Sequence, residues 1–324
     1  METMDTQKSS RGYLMIFGAG CLWGMIGFFV KHLSALGADP GSIAFVRLFT
    51  AALILLGIFT VSGRLSCLRI DGQSLFFCAL LGVLTQGMFN YFYNSAILSV
   101  GVATAAILLY ISPVFVCIMS VMFFREHMGA CKCAALFMNL LGCVMVVTDG
   151  DLSRLGASRI GILLGVGAAF TYSLCAIIGR VAADRLEPGA VAFYGLLFGS
   201  ITMAVIARPW DTLPGVISVR FVIYAVGFGL ISTVCAYLLY FSGISRVREI
   251  SRVPVIASVE VLVSALVGML VFSEKAGWIK ITGVAVILLS IVLINVQWKG
   301  RRPGKRFGGA AGSAENLLLN GPDL

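Results

Sequence analysis

Two charged side chains lie deep inside long apolar runs. Glu260 is the acid within the run 250–273, and Arg47 is the cation within the run 40–61. An ionised carboxylate is expensive inside a membrane, so Glu260 should be protonated, paired or reached by water. It is either a proton-coupling or cation-binding group, or a structural hydrogen-bond partner of a neighbouring helix. Arg47 either holds a substrate carboxylate or phosphate with its planar guanidinium, or bonds a backbone carbonyl or extends to the surface.

Polar and aromatic side chains recur at helical spacing in two other apolar runs. Gln86 and Asn90 are four residues apart, with Tyr93 beside them, which predicts one polar face of a helix. Amides facing lipid are costly, so this face should meet protein or a water-filled cavity. It is either a wall that contacts substrate or a set of interhelical hydrogen bonds. Tyr237 and Tyr240 form a matching stripe in the second half.

Further aromatic residues are expected at mid-membrane depth. Trp23 and Tyr172 occupy equivalent places in the two halves, and Tyr110 precedes Pro113. Such side chains either line a cavity for organic solutes or pack in the core. The candidate substrate-binding residues are therefore Trp23, Arg47, Gln86, Asn90, Tyr93, Tyr110, Tyr172, Tyr237 and Tyr240, with Glu260 as the candidate for proton coupling.

No catalytic or metal-binding signature accompanies these residues. The two histidines, His32 and His127, are far apart, and the sequence has no P-loop, nucleophile elbow or zinc motif. Of the nine cysteines, most lie in apolar runs, and only Cys131 and Cys133 are close together. We therefore expect no metal, no cofactor and no catalytic residue, which argues against an enzyme.

The composition requires a membrane. Of the 324 residues, 59% are hydrophobic and 12% are charged, whereas a soluble domain has about 25% charged residues. Lipid is the solvent that accepts so much apolar surface. The net charge of +9 fits contact with lipid headgroups, so nucleic acid is not an expected partner. The expected partners are a small-molecule substrate, membrane lipids and, as candidate coupling ions, protons.

Ten apolar runs are long enough to cross the bilayer as helices, which need about 20 residues each. An open sheet edge cannot lie in lipid, so strands are not expected. The run from Gly72 to Phe124 carries no charge and must contain a turn, for which Ser99-Val-Gly101 is the best candidate. The predicted spans are 12–31, 40–61, 72–93, 100–124, 130–148, 159–180, 188–207, 219–242, 250–273 and 278–298.

The chain contains an internal repeat. Phe124-Arg-Glu126-His-Met-Gly129-Ala-Cys-Lys132 and Phe272-Ser-Glu274-Lys-Ala-Gly277-Trp-Ile-Lys280 share the pattern F-x-E-x-x-G-x-x-K, 148 residues apart. Each half has five spans, an odd number, so the halves must cross the membrane in opposite senses. Inverted repeats of this kind are typical of secondary transporters. Glu126 and Glu274 are predicted to fix the turn before the next helix, whose N-terminus attracts a carboxylate.

This repeat sets the expected domain organisation and orientation. With the N-terminus in the cytoplasm, sixteen Lys and Arg residues fall on the cytoplasmic side and seven on the other. That bias predicts a multi-pass protein of the inner, cytoplasmic membrane with both termini cytoplasmic. The segments are an N-terminal cytoplasmic segment 1–11, a first repeat 12–148, a linker 149–158, a second repeat 159–298 and a basic cytoplasmic tail 299–324.

In these features the chain resembles the EamA-type transporters of the drug/metabolite transporter superfamily. The resemblance implies ten helices in inverted repeats, a central cavity, and export or exchange of small metabolites, amino acids or drugs. One departure is Val261, which stands where the family has a proline. Whether the ninth span is kinked is therefore an open question at this point. The residues that carry the resemblance are Trp23, Gly24, Lys31, Pro40, Arg47, Ala103 through Ile107, Pro113, Glu126, Glu260 and Glu274.

The expected fold is an all-α integral membrane protein with ten transmembrane helices in two inverted five-helix repeats. The expected function is secondary transport of a small organic metabolite, such as an amino acid, by alternating access and in the direction of export. A multidrug exporter of the same fold is the nearest alternative, and a membrane scaffold or enzyme is the alternative of another class. The sequence leaves open whether two copies pair as a homodimer.

Overall fold

The computed structural model describes residues 2–151, 155, 158–273 and 277–295, with side chains from Ser9 onward. Glu274, much of the linker 149–158 and the tail 299–324 lie outside these residues. The described chain is helical and contains no strand, as the sequence predicts.

Long apolar helices make up both halves. The helices of the first half are Glu2–Trp23, Ile26–Ala35, Pro40–Val61, Gly72–Gly82, Phe89–Leu109, Ser112–Phe124 and Ala130–Thr148, with a π-helical segment Val83–Met88 and a short 3-10 turn Leu65–Leu68. The helices of the second half are Arg159–Ala183, Pro188–Ala207, Val219–Gly229, Ala236–Ile244, Val253–Ala257, Val259–Phe272 and Trp278–Asn295, with a π-helical segment Leu230–Cys235 and the short turns Pro209–Thr212, Leu213–Gly215 and Ile250–Arg252.

Nine helical stretches of the described chain are long and apolar enough to cross a membrane, and one of them holds two spans. Gly72–Leu109 has 38 residues, so at about 1.5 Å per residue it would far exceed the ~30 Å hydrocarbon core. Gly101 divides it with non-helical angles, φ 81° and ψ 164°, at the turn that the sequence predicts. The second part continues into the shorter apolar helix Ser112–Phe124.

The described part of the chain therefore has ten spans, numbered here in chain order. They are span 1 (Ser9–Ala35), span 2 (Pro40–Val61), span 3 (72–100), span 4 (102–124), span 5 (Ala130–Thr148), span 6 (Arg159–Ala183), span 7 (Pro188–Ala207), span 8 (Val219–Ile244), span 9 (Ile250–Phe272) and span 10 (Trp278–Asn295). We call the membrane side on which span 1 begins the N-terminal face, and the other side the opposite face.

Two predicted boundaries differ from the structure. The first helix begins at Glu2 rather than near residue 12. Span 3 continues to residue 100 rather than ending near 93, because no proline or glycine stops the helix before Gly101.

The two repeats pack mainly against each other. Span 5 lies along span 10, spans 2 and 3 pack on span 7, and span 1 packs on span 8. A Cβ on Gly82 of span 3 would lie 2.6 Å from the carbonyl oxygen of Gly195 in span 7, so only glycine allows this approach. The seam between the repeats therefore runs through the centre of the molecule.

Candidate functional site

Spans 4 and 9 are both interrupted at the centre of the molecule. The helix of span 4 stops at Leu109 and resumes at Ser112, and that of span 9 stops at Ala257 and resumes at Val259. Tyr110 and Ser258 occupy the two breaks and are 148 residues apart, the spacing of the repeat. Span 9 is thus broken although Val261 replaces the proline.

Hydrogen bonds from two neighbouring spans hold the break in span 9. The Ser258 hydroxyl donates to the carbonyl of Val255 at 2.6 Å, and Asn139 Nδ2 of span 5 donates to the Ser258 oxygen at 2.5 Å. Asn139 also lies 3.3 Å from the hydroxyl of Ser290 in span 10. In span 4, by contrast, Pro113 is in the first turn after the break. The second repeat replaces the proline of the first by a buried polar cluster.

A cavity opens at the two breaks, between the repeats. Its volume is about 30 Å³ in this conformation, and five of the predicted site residues line it: Trp23, Tyr110, Tyr172, Tyr240 and Glu260. The remaining lining residues are Leu109, Ser112, Pro113, Val116, Ser173, Ala176, Pro254, Ala257 and Ser258. Spans from both repeats contribute, so a relative movement of the repeats would change the shape of the cavity.

Aromatic rings form one wall of the cavity. The ring centroids of Trp23 and Tyr240 are 4.9 Å apart, and Tyr237 meets Trp23 edge-on at 5.4 Å. Offset and edge-to-face pairs of this kind fix the orientation of each ring. The wall is therefore a preformed apolar surface with fixed ring orientations.

Glu260 is the only acidic residue among the described residues that line the cavity. It lies in the first turn of the helix Val259–Phe272, where partial positive charge favours an acid. A Cβ on Gly24 of span 1 would lie 2.8 Å from the Glu260 carbonyl oxygen, so span 1 packs directly against this turn. None of the described residues hydrogen-bonds or ion-pairs with the Glu260 carboxyl group.

The polar stripe of span 3 does not face the cavity as one surface. Gln86 Nε2 donates to the hydroxyl of Tyr237 at 2.6 Å, beside a second, smaller cavity that these two residues line. Asn90 Nδ2 donates to the carbonyl of Gln86, and Tyr93 stacks on Phe89 at 5.6 Å. The π-helical segment Val83–Met88 contains Gln86 and shifts the register of the following residues, which separates the members of the stripe.

Arg47 is not among the lining residues of the cavity. Its guanidinium carbon is 5.7 Å from the ring centroid of Phe228 in span 8, and the residue is buried. Among the described residues that line the main cavity, Arg47, Asn90 and Tyr93 are absent.

Glu126 joins the two repeats rather than capping the helix that follows it. Its carboxylate accepts hydrogen bonds from the backbone N–H of Ile250 at 2.5 Å and of Ser251 at 3.1 Å, and from the Ser251 hydroxyl at 2.5 Å. The N-cap residue of span 5 is Gly129, which makes no side-chain cap hydrogen bond. The Glu126 carboxylate lies instead at the first turn of span 9.

Lys132 completes this contact. Its ammonium lies 3.0 Å from a carboxylate oxygen of Glu249 and 3.1 Å from the Ser251 hydroxyl. We call Glu126, Lys132, Glu249 and Ser251 the Glu126 clamp. It lies on the N-terminal face and connects the end of span 4 with the start of span 9. The Glu126 and Lys132 side chains are only 7% and 10% exposed.

Sequence reasoning missed the clamp partners, the Asn139–Ser258 cluster and both π-helical segments. Asn139 and Ser258 were visible as polar residues inside apolar runs, and Lys132 belongs to the repeated pattern. The π-helical segments lie at equivalent places in spans 3 and 8 and have no sequence signal of their own. Within the described residues, no group of three His, Cys, Asp or Glu side chains could hold a metal ion.

Ten apolar spans in two interlocked repeats, with a cavity at their seam, define a multi-pass membrane protein of the transporter class. The model of the EamA-like transporter family matches residues 10–148 and 159–296. The chain belongs to this family, whose members are transporters and not enzymes.

Known relatives agree with this assignment. A transporter of Archaeoglobus fulgidus, itself described as uncharacterized, is 29% identical over 287 residues, which cover 87% of this chain and 95% of the relative. The inner membrane transporter YhbE of Escherichia coli, described in the same way, is 25% identical over 63% of this chain and 64% of its own. A crystal structure at 18% identity has a TM-score of 0.75 and covers 88% of this chain and 96% of that chain, which shows the fold alone.

Proposed function

We propose that this protein exports a small organic metabolite, an amino acid or a compound of similar size, across the cytoplasmic membrane by alternating access. The observation that carries the proposal is the cavity at the seam of the repeats, lined by aromatic rings and one carboxyl group. Aromatic walls with a few polar groups are typical of sites for small organic ligands.

Alternating access is supported by the difference between the two ends of spans 4 and 9. On the N-terminal face the Glu126 clamp ties the end of span 4 to the start of span 9. On the opposite face, the hydrogen bonds from the backbone N–H groups of Gly277 and Lys280 to Asp149 join spans 5 and 10 instead. Exchanging these contacts between the two faces would open the cavity to one side at a time.

In this proposal some cavity residues bind the solute, and another couples its movement to that of protons. Trp23, Tyr110, Tyr172 and Tyr240 hold the organic part of the solute. Glu260 takes up a proton when the cavity opens to one side and releases it to the other, so that proton movement drives the solute in the opposite direction.

Transport by the full chain in proteoliposomes tests both parts. A panel of amino acids and their analogues is assayed with and without a pH gradient. We expect the gradient to drive at least one compound, and Glu260→Gln to abolish the pH dependence. Glu187→Gln is the matched control, because Glu187 is an exposed acid on the N-terminal face. If transport by Glu260→Gln still depends on pH, Glu260 has no part in the coupling step.

One observation favours a second candidate, export of cationic drugs. Glu260 lies among aromatic rings, and such a combination also suits an organic cation. Cationic dyes are therefore assayed beside the amino-acid analogues. Movement of the dyes alone would favour the multidrug exporter, and failure to move any solute would favour a membrane scaffold.

We also propose the inner membrane as the location, with both termini in the cytoplasm. The Lys and Arg bias supports this orientation, and the relative YhbE is described as an inner membrane transporter. Tags placed after span 4, at Arg125, and after span 5, at Asp149, should react from the cytoplasmic and the external side respectively. Reaction of both from one side would overturn the proposed topology.

A further inference from the structure

Arg47 is a buried cation that has no hydrogen-bond or ion-pair partner among the described residues. The residue is 8% exposed. A favourable contact is the ring of Phe228, whose centroid lies 5.7 Å from the guanidinium carbon.

The ring contact does not offset the cost of burying this charge. Removing an ion from water costs more free energy, even after relaxation, than a cation–π contact returns. A guanidinium also has five N–H donors in one plane, a geometry that matches a carboxylate. The N–H donors of Arg47 therefore have no hydrogen-bond acceptor among the described residues.

The surroundings of Arg47 connect it with the cavity. Arg47 packs on Phe228 of span 8, the span that also carries Tyr237 and Tyr240. Tyr240 lines the cavity, and Tyr237 packs edge-on against Trp23, which also lines it. Glu260, the acid of the cavity, is on a different span, so the protein offers a solute separate acidic and basic groups.

We infer that Arg47 is an anion-binding site beside the cavity and that it takes a carboxylate group of the transported solute. The inference rests on the proposed transport function and narrows its substrates to organic carboxylates with an apolar or aromatic body. Binding supplies the missing acceptor, and the carboxylate leaves water for a bidentate, charge-assisted contact.

Three compounds with one aromatic ring and different charges test this inference. Phenylacetate is an anion, phenethylamine a cation and 2-phenylethanol is neutral. Binding to the full chain is followed by the fluorescence of Trp23, with Phe replacing the other three tryptophans, Trp210, Trp278 and Trp298. We expect phenylacetate to bind more tightly than 2-phenylethanol. Arg47→Gln should weaken phenylacetate by about 10-fold to 100-fold, as expected for a lost charged hydrogen bond, and leave 2-phenylethanol unchanged.

Two further variants separate binding from folding. Arg47→Lys keeps the charge but not the planar guanidinium group. It should therefore retain part of the preference for phenylacetate over 2-phenylethanol. Arg185→Gln is the matched control, because Arg185 also lies over a phenylalanine, Phe77 at 5.4 Å, but is already hydrogen-bonded to Gln73. It should keep the full preference. Equal binding of phenylacetate and 2-phenylethanol, or a preference that survives in Arg47→Gln, would overturn the inference.

A second measurement decides the case in which no ring compound changes Trp23 fluorescence. That result would contradict the cavity as the substrate site, and thus the proposed function, without deciding the role of Arg47. Thermal unfolding in acetate and in neutral acetamide then tests Arg47 alone. Acetate should stabilise the native chain and not Arg47→Gln, and equal behaviour of the two proteins would reject the anion site.

Discussion

The two membrane faces are held together by different kinds of contact. On the N-terminal face, the Glu126 clamp joins spans 4 and 9, which also form the cavity. On the opposite face, Asp149 accepts hydrogen bonds from the backbone N–H groups of Gly277 and Lys280, and Asp39 accepts one from Thr212. The latter contacts join spans 5 and 10, and the start of span 2 to the turn after span 7.

This difference separates the contacts that select a conformation from those that keep the scaffold assembled. A bond between cavity-forming spans closes one entrance, whereas a bond between peripheral spans closes neither. Substitutions in the Glu126 clamp should therefore change access to the cavity, and substitutions of Asp39 or Asp149 on the opposite face should change stability alone.

The largest effect is expected for Glu126→Gln. It removes a charged acceptor from two backbone N–H groups and a hydroxyl, and each bond to a charged group is worth roughly 1.5 to 3 kcal/mol. The N-terminal face should open, which is measured as faster labelling of a cysteine at cavity residue Leu109 by a membrane-impermeant reagent from that face. We expect an increase of at least about 10-fold, the factor for 1.4 kcal/mol. Unchanged labelling would show that the clamp does not close the cavity.

A smaller effect is expected where the two breaks differ. Asn139→Leu leaves Ser258 without its buried partner, at a cost of roughly 1 to 3 kcal/mol, and should lower both the thermal stability and the transport rate. Adding Val261→Pro places a proline after the break in span 9, at the position that Pro113 has in span 4. The double variant should therefore recover transport. If Val261→Pro alone abolishes transport and rescues nothing, the two breaks are not interchangeable.

On the opposite face, Asp39→Ala should affect stability and not access. Asp39 caps span 2, and losing a cap costs about 1 kcal/mol. Burial raises the pKa of Asp39, but hydrogen bonds from Ser42 and Thr212 outweigh it and hold the pKa below its ordinary value. The carboxylate thus makes its full contribution to the stability of the fold above the pKa that Asp39 has in the unfolded chain. This contribution is lost as the pH falls through the pKa that Asp39 has in the folded protein. Thermal unfolding should show a difference from the native chain at pH 7 that vanishes in strong acid.

The smallest effect is expected for Glu187→Gln, although Glu187 also joins the two repeats on the N-terminal face. Its ion pair with Arg64, at 2.6 Å, has both side chains more than half exposed, and exposed pairs contribute about 0 to 1 kcal/mol. Labelling at Leu109 should stay at the native rate. A rate equal to that of Glu126→Gln would mean that any inter-repeat charge pair closes this face.

Much of the fold was predictable from the sequence, because apolar length and glycine chemistry act locally. The spans follow from uninterrupted apolar runs, and the turn at Gly101 follows from a run too long for one crossing. The aromatic residues and Glu260 could be placed near one another because the repeat aligns the central parts of spans 1, 4, 6 and 9.

The remaining features depend on partners far apart in the chain. Glu126 could equally cap the next helix or a distant one, and only packing selects Ile250 and Ser251 as its donors. The stripe formed by Gln86, Asn90 and Tyr93 assumes 3.6 residues per turn, which the π-helical segment breaks. The kink in span 9 could not be predicted from Val261, because Asn139 stabilises it from another span.

Labelling of a cysteine at Leu109 in the otherwise native chain, from each face in turn, tests the central claim most directly. Peptide mapping by mass spectrometry distinguishes this site from the nine native cysteines. We predict that an impermeant reagent reaches it from the opposite face and far more slowly from the N-terminal face. Faster reaction from the N-terminal face would contradict a cavity that the Glu126 clamp closes on that side.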